Sequence, residues 1–167
     1  METVAISIDK SIFYSIENYL RSIYMSEIKV INGEIHSDAR GFISSLNNFR
    51  FDDVQRVYFI HHPDTSVVRG WHAHQFEKKW YYCVKGQFSM AFVKIDNWEN
   101  PSPDLEPEIF ELSEEKSEIL CIPPGYANCL KTSIPGSVLL VFSSKVMPDA
   151  LEDSWRYPNT MWVDWAK

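Results

Sequence analysis

The stretch that decides the fold is Arg-Gly-Trp-His-Ala-His at residues 69–74. Because side chains alternate between the two faces of a β-strand, this stretch as a strand would point His72 and His74 to one side and the small Ala73 to the other. The stems of the two histidines would stand about 6.7 Å apart, near enough to serve one bound ligand or metal. We expect a shared pocket here, although an isolated His-x-His pair would fit two surface imidazoles on an edge strand equally well.

The sequence after these histidines is rich in predicted strands. Two apolar runs meet at residues 85–87, which predicts a β-hairpin over residues 78–93 that turns at Lys-Gly-Gln. A Pro-Pro-Gly turn follows at residues 123–125, and another apolar strand covers residues 137–142. A His-x-His strand, a glycine turn, a Pro-x-Gly turn and an apolar strand, in this order, resemble the two halves of a cupin. The resemblance implies a mainly β fold, the double-stranded β-helix or jelly-roll barrel, with its chemistry at the barrel mouth.

The ligand spacing argues against a metal site. Metal-binding cupins place a Glu four or five residues after the second His, and a third His three residues past the Pro-x-Gly glycine, around a divalent ion. Here the Glu positions hold Lys78 and Lys79, and the late His position holds Asn128. Glu77 lies nearby, but three residues past His74 on a strand it would point to the opposite face, and two ammonium groups would repel a cation. The sequence therefore predicts neither a metal nor another cofactor.

From Ile28 to about Trp165 the chain resembles the nucleotide-sugar cupins. These are dTDP-4-dehydrorhamnose 3,5-epimerase and the dTDP-4-keto-6-deoxyhexose 3,4-ketoisomerases of the WxcM/FdtA type. The resemblance implies a sugar-nucleotide isomerase or epimerase in deoxysugar biosynthesis, with a nucleotide-sugar substrate and a homodimeric assembly. The supporting motifs are Asp-Ala-Arg-Gly-Phe at 38–42, the histidine stretch at 69–74, Lys79 seven residues before Gly86, Ser-Pro at 102–103, Glu-Leu-Ser at 111–113, the Pro-Pro-Gly turn and the Trp-rich segment 155–165.

The two families match different parts of the chain. The Arg-Gly-x-His-Ala-His form and the short gap from His72 to Lys79 resemble the ketoisomerases, whereas Ser-Pro and Glu-Leu-Ser resemble the epimerases. In the epimerases a tyrosine on the strand after the Pro-x-Gly turn acts as the acid, and the matching positions here are Val141 and Phe142. Their histidine after that turn is Asn128 here, which we expect to contact the substrate. These departures favour a reaction confined to the C3 side of the sugar, either 3,4-keto migration or C3 epimerisation.

The shared chemistry of both families follows from the substrate. Removing a hydrogen from the carbon beside a ketone needs a positioned base and a cationic or donor group on the developing enolate oxygen. Neutral imidazole suits the first task near neutral pH. His72 matches the family base, so we predict it as the base, with His74 as a second proton carrier or substrate donor. Lys79 matches the family lysine near the sugar carbonyl and is predicted to hold the enolate.

A proton donor and phosphate-binding groups complete the predicted site. Tyr81 shares a strand face with Lys79, and Tyr58 matches a ketoisomerase strand that lends a tyrosine to the site, so both are candidate acids. Arg69 and Arg40 match positions that the family uses around the diphosphate. Guanidinium forks suit phosphate oxygens, although structural ion pairing would explain either arginine as well.

Composition agrees with one compact enzyme domain. The chain has 167 residues and a formal net charge of −7, which argues against nucleic-acid or membrane-surface binding. Cys83, Cys121 and Cys129 lack Cys-x-x-Cys spacing and lie in apolar strands, so we predict buried free thiols. No basic and apolar signal begins at Met1, and no apolar run approaches a spanning helix, so we expect a cytoplasmic protein.

The first residues lie outside the resemblance. Apolar residues recur at helical spacing behind Asp9, a candidate N-cap, so residues 10–23 predict a short amphipathic helix. We predict an N-terminal helical extension over residues 1–27 and one cupin domain over residues 28–167. Two other functions stay open: a non-catalytic cupin that binds a sugar or sugar nucleotide, and a metal-dependent cupin oxygenase.

Overall fold

The computed structural model describes residues 27–165. This part of the chain is mainly β, as predicted, and its one helix is short. The predicted helix over residues 10–23 lies outside the described residues. The elements are β1 (Lys29–Asn32), β2 (Glu34–Asp38), β3 (Gly41–Ser45), β4 (Arg56–His62), β5 (Val68–His74), β6 (Lys79–Lys85), β7 (Gln87–Lys94), β8 (Glu108–Ser113), β9 (Glu118–Ile122), β10 (Tyr126–Thr132), β11 (Ser137–Ser143), α1 (Met147–Glu152) and β12 (Trp155–Arg156).

The strands form two five-stranded antiparallel sheets and a separate hairpin. The first sheet has the order β1-β9-β6-β11-β4, and the second has the order β12-β5-β10-β7-β8. Strands β2 and β3 pair only with each other in the described structure. Neighbours in each large sheet are mostly distant in sequence, as the double winding of a jelly roll requires. The cupin prediction is confirmed.

The main core lies between the two large sheets. Alternating residues of the strands point into it, and the largest are fully buried, among them Phe88 and Phe92 of β7 and Leu139 of β11. Each such side chain contributes about 1.5–3 kcal/mol through burial. The outer face of the second sheet is covered as well, because Trp71 and Ala73 pack beneath the Trp-rich C-terminal segment. Strand β5 is therefore held from both sides, which fixes the direction of its histidines.

The predicted hairpin at Gly86 is wrong in its pairing. Within the described residues β6 pairs with β9 and β11, whereas β7 pairs with β8 and β10, so the chain crosses between sheets at this turn. The turn is closed by remote side chains instead of a neighbouring strand. The N–H of Gly86 donates to a Glu114 carboxylate oxygen at 3.0 Å, and the N–H of Gln87 donates to Ser137 Oγ at 3.3 Å. Gly86 has a φ of 75°, a conformation that favours glycine.

Two expectations from composition can be compared with the fold. Cys83, Cys121 and Cys129 are buried and free, as predicted. In the stretch from residue 27 to residue 165, no helix is long and apolar enough to cross a membrane.

Candidate active site

A cavity of about 720 Å³ is lined by strands of both large sheets and by α1. It gathers every residue that the sequence predicts for the site except Arg40. Strand β5 contributes both histidines, and β6 contributes Lys79 and Tyr81. The predicted residues that line the cavity are Tyr58, Arg69, His72, His74, Lys79, Tyr81 and Asn128.

The two tyrosines flank the position where the sequence lacks one. Val141 of β11 lies opposite Tyr58 on β4 and opposite Tyr81 on β6. Directly opposite residues share a sheet face, so the two hydroxyl-bearing side chains point the same way as Val141. Burial, together with the charge of Glu77, raises the pKa of Tyr58 to about 12, and burial raises the pKa of Tyr81 well above its usual value. Both phenols keep their protons at neutral pH and can act as hydrogen-bond donors.

The two histidines lie side by side on β5, as predicted. Their ring centroids are 4.4 Å apart, which is less than the spacing of about 6.7 Å expected between residues i and i+2 of a strand, so the two rings tilt toward each other. Nε2 of His72 is 2.9 Å from Ser154 Oγ, and the amide of Asn128 donates to the His72 carbonyl oxygen at 2.6 Å. Burial, followed by the positive charge of Lys79, lowers the pKa of His72 to about 3. His72 is therefore neutral at physiological pH.

His74 has a carboxylate partner, which corrects the prediction for Glu77. Nδ1 of His74 lies 3.0 Å from Glu77 Oε2. Strand β5 ends at His74, and the chain turns before β6 begins, so strand alternation does not apply to Glu77. The carboxylate of Asp153 holds this turn by accepting the N–H groups of Gln75 at 2.7 Å, Phe76 at 2.8 Å and Glu77 at 3.1 Å. The Glu77 side chain consequently lies under the cavity instead of pointing away from it.

Glu77 contacts four side chains, one from each of the strands β4, β5, β6 and β11. Its Oε1 accepts hydrogen bonds from Arg56 at 3.0 Å and from Ser143, while its Oε2 faces His74 and lies 3.5 Å from Lys79 Nζ. Burial alone would raise the pKa of Glu77, but the contact with His74 and the charge of Lys79 lower it to about 2. The carboxylate is thus ionised and fully buried.

The adjacent lysines have opposite surroundings. Lys79 is buried, lines the cavity and pairs with Glu77. Burial lowers its pKa, and Glu77 opposes that effect. Lys78 points the other way, where its ammonium pairs with Asp53 at 3.2 Å and lies over the ring of Trp80. Of the two, Lys79 alone can reach a molecule in the cavity.

Arg40 does not reach the cavity of its own chain. It sits at the turn between β2 and β3, and its guanidinium pairs with Asp38 at 2.6 Å. Its side chain is 87% exposed. The hairpin pairs with no strand of either large sheet in the described structure, so nothing draws Arg40 toward the histidines. The ion-pair interpretation of this arginine holds within one chain.

Several cavity residues were missed by sequence reasoning. Arg56 shares a strand face with Tyr58 and lies 5.1 Å from its ring, so strand alternation could have found it. Ser154 and Arg156 come from the segment after α1, where nothing in the local pattern signals a site. Over residues 27–165 no group of three or more His, Cys, Asp or Glu side chains is arranged to hold a metal ion. The prediction of a metal-free protein still awaits a direct measurement.

Comparison with known proteins agrees with the family resemblance seen in the sequence. The family model FdtA, described as WxcM-like, C-terminal, matches residues 24–157. No protein of curated function matches the chain at a significant level of sequence similarity.

Among solved structures, QdtA, a sugar 3,4-ketoisomerase from Thermoanaerobacterium thermosaccharolyticum in complex with TDP, is 27% identical. The match covers 80% of this chain and 90% of QdtA, with a TM-score of 0.60. A histidine-to-asparagine variant of QdtA in complex with TDP-4-keto-6-deoxyglucose is 26% identical over 78% of this chain and 87% of that one, with a TM-score of 0.60.

The RmlC epimerase of Mycobacterium tuberculosis is 21% identical over 83% of this chain and 74% of its own, with a TM-score of 0.65. At that identity the likeness concerns the fold. The family model, by contrast, spans most of the described chain and includes the histidine stretch, Lys79 and Asn128. The chain belongs to the FdtA family, described as WxcM-like, C-terminal.

Proposed function

We propose that this protein is an isomerase of a nucleotide-linked 4-keto-6-deoxy sugar that moves the keto group between C4 and C3. The observation that carries the proposal is the cavity in which two histidines, a buried lysine and two protonated tyrosines face one another. QdtA, a 3,4-ketoisomerase at 27% identity, supports the same reaction. TDP-4-keto-6-deoxyglucose, the sugar nucleotide held by the QdtA variant, is the natural first test substrate.

Keto migration needs two proton transfers at neighbouring carbons. A base removes the proton on C3, the C3–H electron pair forms a C3=C4 double bond, and the C4 oxygen takes the negative charge and then a proton. The enediol then loses the proton of its C3 hydroxyl, and C4 receives a proton as the double bond shifts to oxygen. The product carries the ketone at C3, with no net gain or loss of atoms. Acid and base groups on one side of the ring suffice for this sequence.

We assign the base to His74 instead of His72. A base works best when its pKa lies near the working pH, and the pKa of about 3 makes His72 a poor proton acceptor. His74 faces a buried carboxylate, which stabilises an imidazolium as it forms. His72, with its ring centroid 4.4 Å away, is then the second group, which passes or donates a proton beside the sugar.

Lys79 and the tyrosines are proposed to hold the reacting oxygens. Lys79 brings a positive charge to the cavity, which favours the enediolate over the neutral ketone. Tyr58 and Tyr81 supply hydroxyl donors from the strands on either side of Val141. Either phenol can take the place of the acid that the epimerases carry at that position.

The arginines are proposed to bind the diphosphate. Arg69 and Arg156 line the cavity at the ends of adjacent strands, where guanidinium groups can receive phosphate oxygens. Asn128 donates its amide to the carbonyl oxygen of His72, so we propose that it holds β5 in place as well as contacting the substrate. A homodimer, as the resemblance implies, stays a prediction.

The reaction is tested by incubating the purified protein with TDP-4-keto-6-deoxyglucose in heavy water and following the sugar by NMR. Keto migration predicts a new C3 ketone signal with deuterium at C4 of the product, and deuterium at C3 only in substrate that is re-formed by the reverse reaction. Deuterium at C5 would overturn the restriction to the C3 side, and uptake at C3 alone would indicate C3 epimerisation. TDP binding without any exchange would favour the non-catalytic cupin. Elemental analysis of the same sample tests the oxygenase alternative.

A further inference from the structure

The geometry assigns Glu77 the role of a positioning residue. We infer that its carboxylate holds His74 as the tautomer with the proton on Nδ1, so that Nε2 is left bare to take a proton from the substrate, and that the same oxygen anchors Lys79. This inference rests on the proposed function, since it concerns how the proposed base is prepared. Neither the family resemblance nor the strand pattern of the sequence points to this residue.

The two carboxylate oxygens of Glu77 contact different groups of side chains. Oε1 binds Arg56 and Ser143, which lie on β4 and β11 and tie the carboxylate to the first large sheet. Oε2 faces the two side chains with proposed chemical roles, His74 at 3.0 Å and Lys79 at 3.5 Å. One oxygen is therefore anchored while the other orients the catalytic groups. Removing one partner of a buried ion pair leaves an uncompensated buried charge, so each of these contacts helps to hold the others in place.

The placement of Glu77 is itself fixed from a distant segment. The Asp153 carboxylate accepts the backbone N–H groups of Gln75, Phe76 and Glu77, so the turn that carries Glu77 cannot relax into a longer strand. Asp153 follows α1 directly, and α1 lines the same cavity. The position of the Glu77 carboxylate is therefore determined by Asp153, which follows the helix that lines the cavity.

A carboxylate in this position determines which ring nitrogen carries the proton. A carboxylate accepts hydrogen bonds and donates none, so the nitrogen that faces it is favoured as N–H. Nε2 of His74 is buried and has no hydrogen-bond partner among the described residues, and the His74 side chain lines the cavity. The Nδ1–H does not point straight at Oε2, and contacts of this kind commonly tighten when substrate binds.

The first test is the tautomer of His74 in the wild-type protein, read from two-bond ¹⁵N–¹H correlations of ¹⁵N-histidine-labelled protein and assigned with His74→Asn. We expect the proton on Nδ1. A proton on Nε2, or a mixture of both forms, would overturn the inference. This measurement needs no substrate, so it stands or falls independently of the deuterium experiment that tests the proposed function.

The second test is Glu77→Gln, which keeps the shape and removes the charge. The glutamine amide can donate to Nδ1, so we expect the tautomer to switch toward Nε2–H and kcat to fall about a hundred- to ten-thousand-fold, as when a catalytic histidine loses its orienting carboxylate. TDP affinity should stay within about threefold of wild type, because the diphosphate contacts lie elsewhere. Glu111→Gln on β8, whose carboxylate binds Gln87, is the matched control and should leave kcat and tautomer unchanged.

A third variant separates positioning from structure. Glu77→Asp restores the charge with a shorter reach, and we expect it to recover the Nδ1–H tautomer and at least tenfold of the lost kcat. Wild-type tautomer and turnover in Glu77→Gln would overturn the role. If Glu77→Gln does not fold, the wild-type tautomer and the kcat of Glu77→Asp decide the question by themselves.

Discussion

The two ends of β6 perform the same topological task with different chemistry. At its start the chain arrives from β5, in the other large sheet, and at its end it leaves for β7, again in that sheet. The β5–β6 turn is held by the Asp153 carboxylate and encloses the buried charges of Glu77 and Lys79. The β6–β7 turn at Gly86 contains no cavity-lining residue and is held mainly by hydroxyl groups.

The hydroxyl groups that hold the β6–β7 turn come from β10 and β11 and lie close together. Thr132 Oγ1 donates to the Gln87 carbonyl oxygen at 2.6 Å, and its oxygen lies 2.8 Å from Ser137 Oγ. A Glu114 carboxylate oxygen caps the turn from the exposed side at 3.0 Å. Hydroxyl groups and an exposed carboxylate are therefore sufficient to carry the chain from one sheet to the other, without an ion pair beneath the turn in the described structure. Because removing a charge from water costs several kcal/mol, the concentration of buried charges at the opposite end indicates function rather than architecture.

We expect the greatest loss of activity when the proposed base, His74, is removed from the β5–β6 end of β6. His74→Asn should lower kcat about ten-thousand-fold, the upper range for general acid and base catalysis, while TDP binding stays near wild type. His72→Asn should lose less, because His72 is the second proton carrier. Turnover of TDP-4-keto-6-deoxyglucose by NMR and TDP titration by calorimetry measure both. A larger loss in His72→Asn would return the base to His72, the residue that the sequence predicts.

The adjacent lysines, Lys78 and Lys79, provide a test variant and its matched control. Lys79→Gln should lower kcat about a hundred- to a thousand-fold with a smaller change in KM, because the enediolate charge exists only near the transition state. Lys78→Gln should change kcat less than about threefold, since its ammonium pairs with Asp53 outside the cavity. Steady-state kinetics of the two variants decide the matter. Equal losses would mean that the positive charge acts at long range and that the pairing with Glu77 is incidental.

Acid should lower the free energy of unfolding through the protonation of Glu77 in the β5–β6 turn. The pKa of Glu77 is about 2 in the folded protein against an ordinary value of 4.5, so its stabilising effect is complete above about pH 4.5 and is lost as the pH falls toward 2. The loss is on the order of 3 kcal/mol in the free energy of unfolding. Urea unfolding of the wild type and Glu77→Gln between pH 7 and pH 2.5 measures it. We expect a flatter pH dependence in the variant, and parallel curves would contradict the stabilised carboxylate.

The β6–β7 turn should be sensitive to the shape of the residue at Gly86. A Cβ added at Gly86 would lie 2.0 Å from Ser137 Oγ, whereas a Cβ at Gly136, which has the same φ of 75°, meets nothing within 4 Å. Gly136→Ala should cost about 1 kcal/mol for backbone strain, and Gly86→Ala about 2 kcal/mol more for the collision. Denaturant unfolding measures the difference. Turnover should be unchanged in both variants, and a large loss of kcat in Gly86→Ala would show that the two ends are coupled.

Sequence reasoning was successful wherever one strand decides the outcome. The common direction of His72 and His74, and the shared face of Lys79 and Tyr81, follow from the two-residue period of an extended chain. The order of motifs was sufficient for the fold class, because strands and turns of a cupin follow one another in a characteristic order. Buried cysteines likewise follow from apolar strand contexts.

Sequence reasoning failed wherever two distant segments meet. The hairpin at Gly86 was wrong because an apolar strand pattern does not reveal which edges will pair. Arg40 lies at the turn of a separate two-stranded sheet, outside the cavity of its own chain, so its contact with a diphosphate stays a prediction. Glu77 was expected to point away, because alternation was continued past His74 into a turn that Asp153 closes from the other end of the chain.

In the sequence, strand alternation determined the common face of the two histidines, because it depends on backbone sterics over a few residues. The resemblance to the nucleotide-sugar cupins implied the mainly β fold and the candidate residues of the cavity. Only the tertiary structure decided which histidine faces a carboxylate, which lysine is buried and which tyrosines flank Val141. The physical reason is that the strength of an electrostatic contact depends on distance and burial in space. The residues that set those quantities here lie on strands and turns far apart in the chain.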